Sequence, residues 1–250
     1  MKATPANNVP PYSKLAAFYD GMMEHVDYYH WAEYIDQIFR KSGKSVKDVC
    51  ELACGTGTFG VSLSKLGYTM TCSDISPDMI RVASAKAERN GVQISFSVQS
   101  MLHFCSDKQF DAVLCLYDSI NYLKEKNEII AFLHNSEKLV TDGGLLIFDA
   151  CTEHNSLENF NQRYEYDKAH RYRRRSYYLA DQRRQVNEIT IQIDGTFYKE
   201  EHTQNIFAIS DIAELIRRTS FKLTHTFENL TFHKGKESSE RVHFVLEKQK

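Results

Sequence analysis

No apolar run in the 250-residue chain approaches the roughly 18 residues that a membrane helix needs. The opening segment, MKATPANNVPPYSKLAAF, also lacks the apolar stretch of a secretory signal. Neither a C-x-x-C pair nor an H-E-x-x-H motif occurs, so the ligand spacings of common zinc sites are missing and no metal is expected. The six cysteines, Cys50, Cys54, Cys72, Cys105, Cys115 and Cys151, follow no disulfide framework and read as small buried hydrophobes. An excess of one charge is absent too: 31 Lys plus Arg stand against 33 Asp plus Glu, a net charge of -2. That argues against a nucleic-acid coat, while leaving room for a local patch. There is no internal repeat, no low-complexity stretch and no proline after Pro77. Together these absences predict a soluble cytoplasmic protein with no membrane partner.

What is present is a composition 42% hydrophobic, enough to bury one large core. After a loose start of ten residues, Trp31, Tyr34, Ile35, Ile38 and Phe39 recur at helical spacing and predict an amphipathic helix ending near Gly43. Strands at 46–53, 69–73, 94–98, 110–116 and 145–148 then alternate with helices, and Ser76-Pro77 supplies an N-cap and a first helical residue. Alternation of this kind implies a Rossmann-like, doubly wound, mostly parallel sheet covered on both faces. Beyond Cys151 the chain turns Tyr- and Arg-rich, then β-prone, and Asp194-Gly195 between two such runs signals a hairpin. We read 171–207 as an antiparallel meander, followed by a helix at 210–219 and strands at 222–227 and 242–247. The fold class is therefore α/β, a seven-stranded sheet with an antiparallel β-meander insertion.

The most informative stretch is Glu51-Leu52-Ala53-Cys54-Gly55-Thr56-Gly57-Thr58-Phe59-Gly60, between a predicted strand and a predicted helix. Small residues let the backbone turn tightly and approach a ligand, and the helix start adds N–H donors. Gly55, Gly57 and Gly60 spell G-x-G-x-x-G, and Asp74 lies about where a ribose-binding acid is expected. A dinucleotide and S-adenosylmethionine compete for such a loop. The first would set its pyrophosphate against the helix N-terminus, where Glu51 adds an unfavourable negative charge. The second has no phosphate but carries a sulfonium and an amino group, for which Glu51 is a natural partner. Two carboxylate oxygens on Asp74 also suit a vicinal diol.

Glu51-Leu52-Ala53-Cys54-Gly55-Thr56-Gly57, with Asp74 ending the second strand, resembles the class I S-adenosylmethionine-dependent methyltransferase pattern, and Phe110 to Leu123 is similar to that superfamily's fourth-strand segment. Tyr12, Phe18-Tyr19-Asp20, Asp27-Tyr28 and Trp31 resemble the aromatic helical lid of a small-molecule-type branch, and the Asp-Gly hairpin with Phe197-Tyr198 and His202 resembles its meander. The organisation so implied is a helical lid over 1–43, a methyltransferase core over 44–151 and 208–250, and a substrate cover over 152–207. The resemblance further implies that Gly55 and Gly57 run beside the methionine moiety, that Asp74 holds the ribose, and that Ile75 and Met79 flank the adenine. Leu116 and Tyr117 would lie by the methionine part and the acceptor. Where the family often has an Asp after the third strand, this chain has Gln99-Ser100-Met101, with Ser100 as the substitute acceptor. Tyr12, Tyr19 and Trp31 join the cofactor set, with core packing as their alternative.

Methyl transfer from a sulfonium needs mainly positioning, although an oxygen acceptor also needs a base. Asp118, Tyr122 and His202 are the candidates for orienting or deprotonating the acceptor. Turn capping is the alternative for Asp118, and a solvent-facing position for His202. Arg171, Arg173, Arg174, Arg175, Arg183 and Arg184 read first as a solvated edge and second as an anion-binding surface. Enzymes that methylate base amino groups resemble one another in an Asn/Asp-Pro-Pro-aromatic motif, which Tyr117-Asp118-Ser119-Ile120 lacks. The expected partner is thus a small-molecule acceptor. Methylation of RNA by another route and a non-catalytic cofactor sensor or scaffold stay open, as does a homo-oligomer formed through the meander.

Overall fold

Local chemistry sets the ends of the elements that carry the site. In the computed structural model, which describes residues 6–167 and 172–250, the Asp27 side chain accepts from the His30 N–H and starts helix α2 (Tyr28–Lys41), after β1 (Asn7–Asn8) and α1 (Tyr19–Met22). The core continues as β2 (Asp48–Leu52), α3 (Thr58–Lys65), β3 (Thr69–Asp74), α4 (Pro77–Arg89), β4 (Ile94–Val98), β5 (Phe110–Cys115), α5 (Lys126–Leu139) and β6 (Val140–Cys151). At α4, Ser76 caps the Met79 N–H and Pro77 opens the first turn. After α6 (Glu153–Asn159), the strands β7 (Arg163–Asp167), β8 (Tyr172–Leu179), β9 (Arg184–Ile193) and β10 (Thr196–Asn205) precede α7 (Ile209–Ile216), β11 (Phe221–Glu228) and β12 (Arg241–Lys248).

The main sheet has the order β11-β12-β6-β5-β2-β3-β4. Its strands run parallel except β12, which is antiparallel to both β6 and β11. Buried residues alternate between its two faces. Cys50, Val113 and Leu146 join Phe132 and Ile212 on one side, while Val49, Leu114 and Ile147 meet Ile35, Phe39 and Leu63 on the other. Strand order reverses between β2 and β5, and the crevice beyond the carboxyl ends of the strands at such a point is where ligands bind in doubly wound sheets. Among the described residues no helix is long and apolar enough to cross a membrane.

The second sheet has the order β1-β10-β9-β8-β7. Its β9–β10 hairpin turns at Asp194 and Gly195, both at positive φ, as a two-residue turn matched to strand twist requires. Leu15, Met22 and Met23 of the N-terminal segment pack on Tyr172, Ile189 and Ile191, so this sheet and the segment share an apolar cluster.

Several expectations need correction. The supposedly loose start contributes Asn7 and Asn8, which pair with Tyr198 and Lys199 because β10 offers a free edge. The meander begins earlier, at Arg163, and the stretch before it is helical: Thr152 caps α6 by accepting from the Asn155 N–H. The fifth core strand runs from Val140 to Cys151, well beyond 145–148. Cys105 is exposed, whereas the other five cysteines are buried. Arg171 lies outside the described residues.

Candidate active site

The glycine loop leaves β2 with Ala53, Gly55 and Gly57 all at positive φ. At Gly57 a Cβ would stand 2.8 Å from Ala83 Cβ, and at Gly60 one would meet Cys72 Sγ at 2.9 Å and Glu51 Oε2 at 3.0 Å. Helix α3 can therefore close onto β3 and α4 only with glycine at both places. The loop amides are turned inward: Cys54 N–H donates to Ser73 O at 2.9 Å, Gly55 N–H to Asp74 Oδ2 at 2.9 Å and Gly57 N–H to Cys54 O at 3.0 Å. Glu51 is buried beneath them and receives Cys72 Sγ–H at 3.7 Å and the Gly60 N–H. Burial pushes its carboxyl up to about 8 despite those donors. A first-turn donor of α3 is thus spent on an internal acid, the opposite of a phosphate cradle.

Asp74 closes β3 with both oxygens in use, Oδ2 on Gly55 and Oδ1 accepting from the Ser76 N–H at 2.8 Å. Burial raises its carboxyl while these backbone donors restrain the shift. Beside it Ile75 is 70% exposed, a large apolar side chain at the crevice edge, whereas Met79 is buried in the first turn of α4. After β4, Ser100 Oγ accepts from the Leu102 N–H at 3.2 Å. Met101 turns into the core, its sulfur 3.9 Å from Cys115 Sγ.

The exit of β5 is strained: Leu116 is followed by Tyr117 and Asp118, with φ of 59° and 51°. Asp149, on neighbouring β6, holds this turn by accepting from the Tyr117 N–H at 2.6 Å and the Asp118 N–H at 2.8 Å. Arg241 of β12 donates to Asp149 and pairs with Asp118 Oδ1 at 2.6 Å. Its guanidinium lies 4.8 Å from the centre of the Tyr117 ring and 5.4 Å from that of Trp31. Trp31 is itself buried against Tyr117 and His243, so its contacts support the turn.

His243, fully buried between Trp31 and Tyr34, is pushed down to about 3 by burial and then by Arg241. It is neutral in the fold, so below the ordinary histidine range the unfolded chain binds one more proton and stability falls with pH. Between pH 7 and pH 5 this residue should remove about 2 kcal/mol of stability. His243→Phe should lack that portion of the loss in urea unfolding curves, and equal pH slopes in the two proteins would refute it.

Comparison with known proteins agrees with this geometry. A methyltransferase-domain family matches residues 49–144. YqeM of Bacillus subtilis (strain 168), described provisionally as a methyltransferase, is 28% identical over 246 residues, covering 96% of this chain and 98% of that protein. An S-adenosylmethionine-dependent methyltransferase from Clostridium acetobutylicum ATCC 824 superposes with a TM-score of 0.83 at 20% identity, over 96% of this chain and 99% of that one. Residues 49–144 thus carry a methyltransferase domain, and the fold of the chain is that of an S-adenosylmethionine-dependent methyltransferase. Its fold is also shared by the sugar N-methyltransferase KedS8 from Streptoalloteichus sp ATCC 53650, with a TM-score of 0.77 at 18% identity, covering 100% and 96% of the two chains.

In this methyltransferase the three acceptor-side candidates come together. Tyr122 Oη lies 3.3 Å from His202 Nδ1 and 2.5 Å from Tyr12 Oη, and Gln204 Nε2 donates to Asp118. His202 is buried, so β10 turns it inward and the solvent-facing alternative is wrong. Tyr12 joins this group, with its ring 4.5 Å from His202 and 5.9 Å from that of Tyr19. The N-terminal segment reaches the loop through another residue: Asp20 accepts from Thr56 Oγ1 at 2.6 Å and from Lys86 Nζ at 2.8 Å. Sequence reasoning missed Asp149, Arg241, Glu200, Gln204 and Lys86.

Three of the arginines, Arg173, Arg174 and Arg175, are engaged within the sheet, and Arg183 pairs with Glu153 of α6 at 3.3 Å. Arg173 and Arg175 lie over Tyr166 and Tyr164 of β7, and Arg175 pairs with Glu188 at 3.4 Å. Arg174 faces the other way and donates to Asn187 Oδ1 at 3.0 Å.

Proposed function

We propose that this methyltransferase moves the methyl group of S-adenosylmethionine to an oxygen or nitrogen of a small molecule held between residues 1–43, the strained turn after β5 and the inner face of the 152–207 insertion. The observation that carries the reading is the meeting of Tyr12, Asp118, Tyr122 and His202, drawn from three separate parts of the chain, beside the crevice of the parallel sheet. In this reading Ala53, Gly55, Gly57, Leu116 and Tyr117 run along the methionine part, and Asp74 takes the ribose. Ile75, Met79 and Ser100 border the adenine, while Met101 serves from the core side. KedS8 acts on a sugar nitrogen, which suits an enclosed acceptor of similar size. Six free thiols suit the reducing cytoplasm.

The protein's task is alignment, because the sulfonium already carries a good leaving group. Holding the acceptor atom in line with the methyl supplies most of the acceleration. A neutral amine can attack directly; a hydroxyl must lose a proton to His202, directly or through Tyr122.

The cofactor assignment predicts a proton count. Glu51 is largely protonated at pH 7 without ligand, and a nearby cation favours its ionised form. Calorimetry should show S-adenosylmethionine binding tighten by up to about tenfold per pH unit from pH 6 to 7.5, with close to one proton released. Glu51→Gln should flatten that dependence; a flat wild-type profile would remove Glu51 from the site.

The whole reading is tested by titrating S-adenosylmethionine, S-adenosylhomocysteine and NADH, then screening amines, phenols, sugars and RNA for S-adenosylhomocysteine release. Binding of the first two with turnover on a small molecule is the expected result. Binding without turnover on any of them would favour a sensor, and turnover on RNA alone would displace the small-molecule acceptor.

A further inference from the structure

The fully buried carboxylate of Glu200 is saturated by donors from two parts of the chain. Oε2 accepts from the Tyr12 N–H at 2.6 Å and faces His202 Nε2 at 3.0 Å; Oε1 accepts from the N–H groups of Lys14 at 2.7 Å and Leu15 at 2.9 Å. Four donors match the roughly four lone-pair sites of an ionised carboxylate. Burial alone would raise this acid, but His202 and the three backbone donors outweigh it and hold it below the ordinary carboxylate range. An ionised Glu200 can only accept, so the imidazole must carry its proton on Nε2. That leaves the Nδ1 lone pair facing Tyr122 Oη at 3.3 Å.

We propose that Glu200 is a positioning residue that couples the seating of the N-terminal segment to the readiness of His202 as proton acceptor. The inference rests on the acceptor site described above and adds how that site is switched on. With Tyr12, Lys14 and Leu15 in place, the carboxylate is fixed and ionised, the imidazole is locked in one tautomer, and the Tyr12 ring closes against it. Release of the segment removes three of the four donors and frees the carboxylate to rotate away from the imidazole. The acceptor's proton passes to Nδ1, either directly or by Tyr122 giving its own proton to Nδ1 and taking the acceptor's. The methyl then leaves sulfur for the deprotonated atom, S-adenosylhomocysteine departs uncharged at sulfur, and the imidazolium returns its proton to solvent. The charged and titratable groups around this path are Glu200, Tyr12, Tyr19, Tyr122, Asp118, Arg174 and, acting on Tyr122 from the end of β3, Asp74.

The test uses the full chain loaded with S-adenosylhomocysteine, so it does not depend on knowing the acceptor. Nitrogen NMR of the neutral His202 ring should show Nε2 protonated and Nδ1 bare. In Glu200→Gln the amide presents one donor edge, which must confront at least one of the four existing donors. Amide exchange at Tyr12, Lys14 and Leu15 should then quicken at least tenfold, and an Nδ1-protonated form should appear. Tyr122→Phe, which removes the hydroxyl contact to Tyr12 but none of the backbone donors to Glu200, should shift the Nδ1 resonance and leave exchange at Lys14 and Leu15 within twofold. On the acceptor that the screen turns over, kcat should fall at least tenfold in Glu200→Gln while KM for S-adenosylmethionine stays within twofold. A wild-type ring protonated on Nδ1, or Glu200→Gln with unchanged exchange and ring signals, would overturn the coupling. Failure to bind S-adenosylhomocysteine would instead sink the cofactor site, leaving the two NMR readouts to judge Glu200 by themselves.

Discussion

Arg241→Met should lower the stability of this methyltransferase by about 3–5 kcal/mol, the usual consequence of removing one partner from a buried ion network. In a chain of this size that corresponds to a fall in Tm of roughly 6–20 °C. The guanidinium is the shared partner of Asp118 and Asp149, and Asp149 is fully buried. Without it two carboxylates face each other across the turn after β5, and Asp149 also has to keep holding the strained Tyr117 and Asp118 amides. The least costly relief is for the turn to let go, so methyl transfer should be lost even at temperatures where the chain stays folded. Arg241→Lys restores the charge but not the planar fork that reaches both acids and stacks on Tyr117, so it should recover only part of the loss. The decisive comparison is a cycle with Asp118→Asn. Because that change removes one of the stranded charges, the double variant should melt well above Arg241→Met alone. Additive melting shifts would mean that Arg241 and Asp118 act independently, contrary to their 2.6 Å contact.

This network also shows where sequence reading stops. The alternation of apolar strands and helices between Val46 and Phe148 could be read because the central parallel strands β2, β5 and β6 are buried on both faces and the helices that cover them on one. The glycine loop and Asp74 could be read because their spacing is fixed by a single strand–helix–strand unit, β2-α3-β3. Arg241 could not, since its partner Asp149 lies 92 positions away and only the β6–β12 pairing brings the two together. Asp149 did leave a trace, an acid inside the apolar stretch Leu145 to Cys151, where a charge needs a buried partner.

The meander hid its meaning in another way. On β10 the residues Glu200, His202 and Gln204 occupy every second position and are all buried. In sequence such a polar stripe looks like the solvent face of an antiparallel strand, because the usual rule puts apolar residues inward. Here the inward face is polar because it meets a site instead of a core, and Gln185 and Asn187 of β9 continue the pattern. The edge strand β7 was missed for a simpler reason: Arg163 to Asp167 alternates charge with exposed tyrosines, and no apolar face announces it.

Asp74→Ala should weaken both S-adenosylmethionine and S-adenosylhomocysteine, and by the same factor, because the ribose is common to the two. Two hydrogen bonds from a diol to a buried carboxylate are together worth about 2–4 kcal/mol, or roughly 30- to 1,000-fold in affinity. A loss of affinity alone would not identify the contact, since Asp74 also fixes the Gly55 and Ser76 amides and its removal loosens the loop. A 2′,3′-dideoxy analogue of S-adenosylhomocysteine separates the two effects. It should bind the wild type as weakly as the parent compound binds Asp74→Ala, apart from the contribution of the loop. Passing from wild type to Asp74→Ala, the analogue should lose only that loop contribution, so the difference between the two ligands' losses measures the diol contact itself. Equal losses for the dideoxy and parent ligands would leave Asp74 as a brace for the glycine loop and place the ribose elsewhere. If the parent's loss instead exceeds the analogue's by tenfold or more, one carboxylate both shapes the loop and reads the sugar, which is why the chain needs an acid rather than an amide at the end of β3.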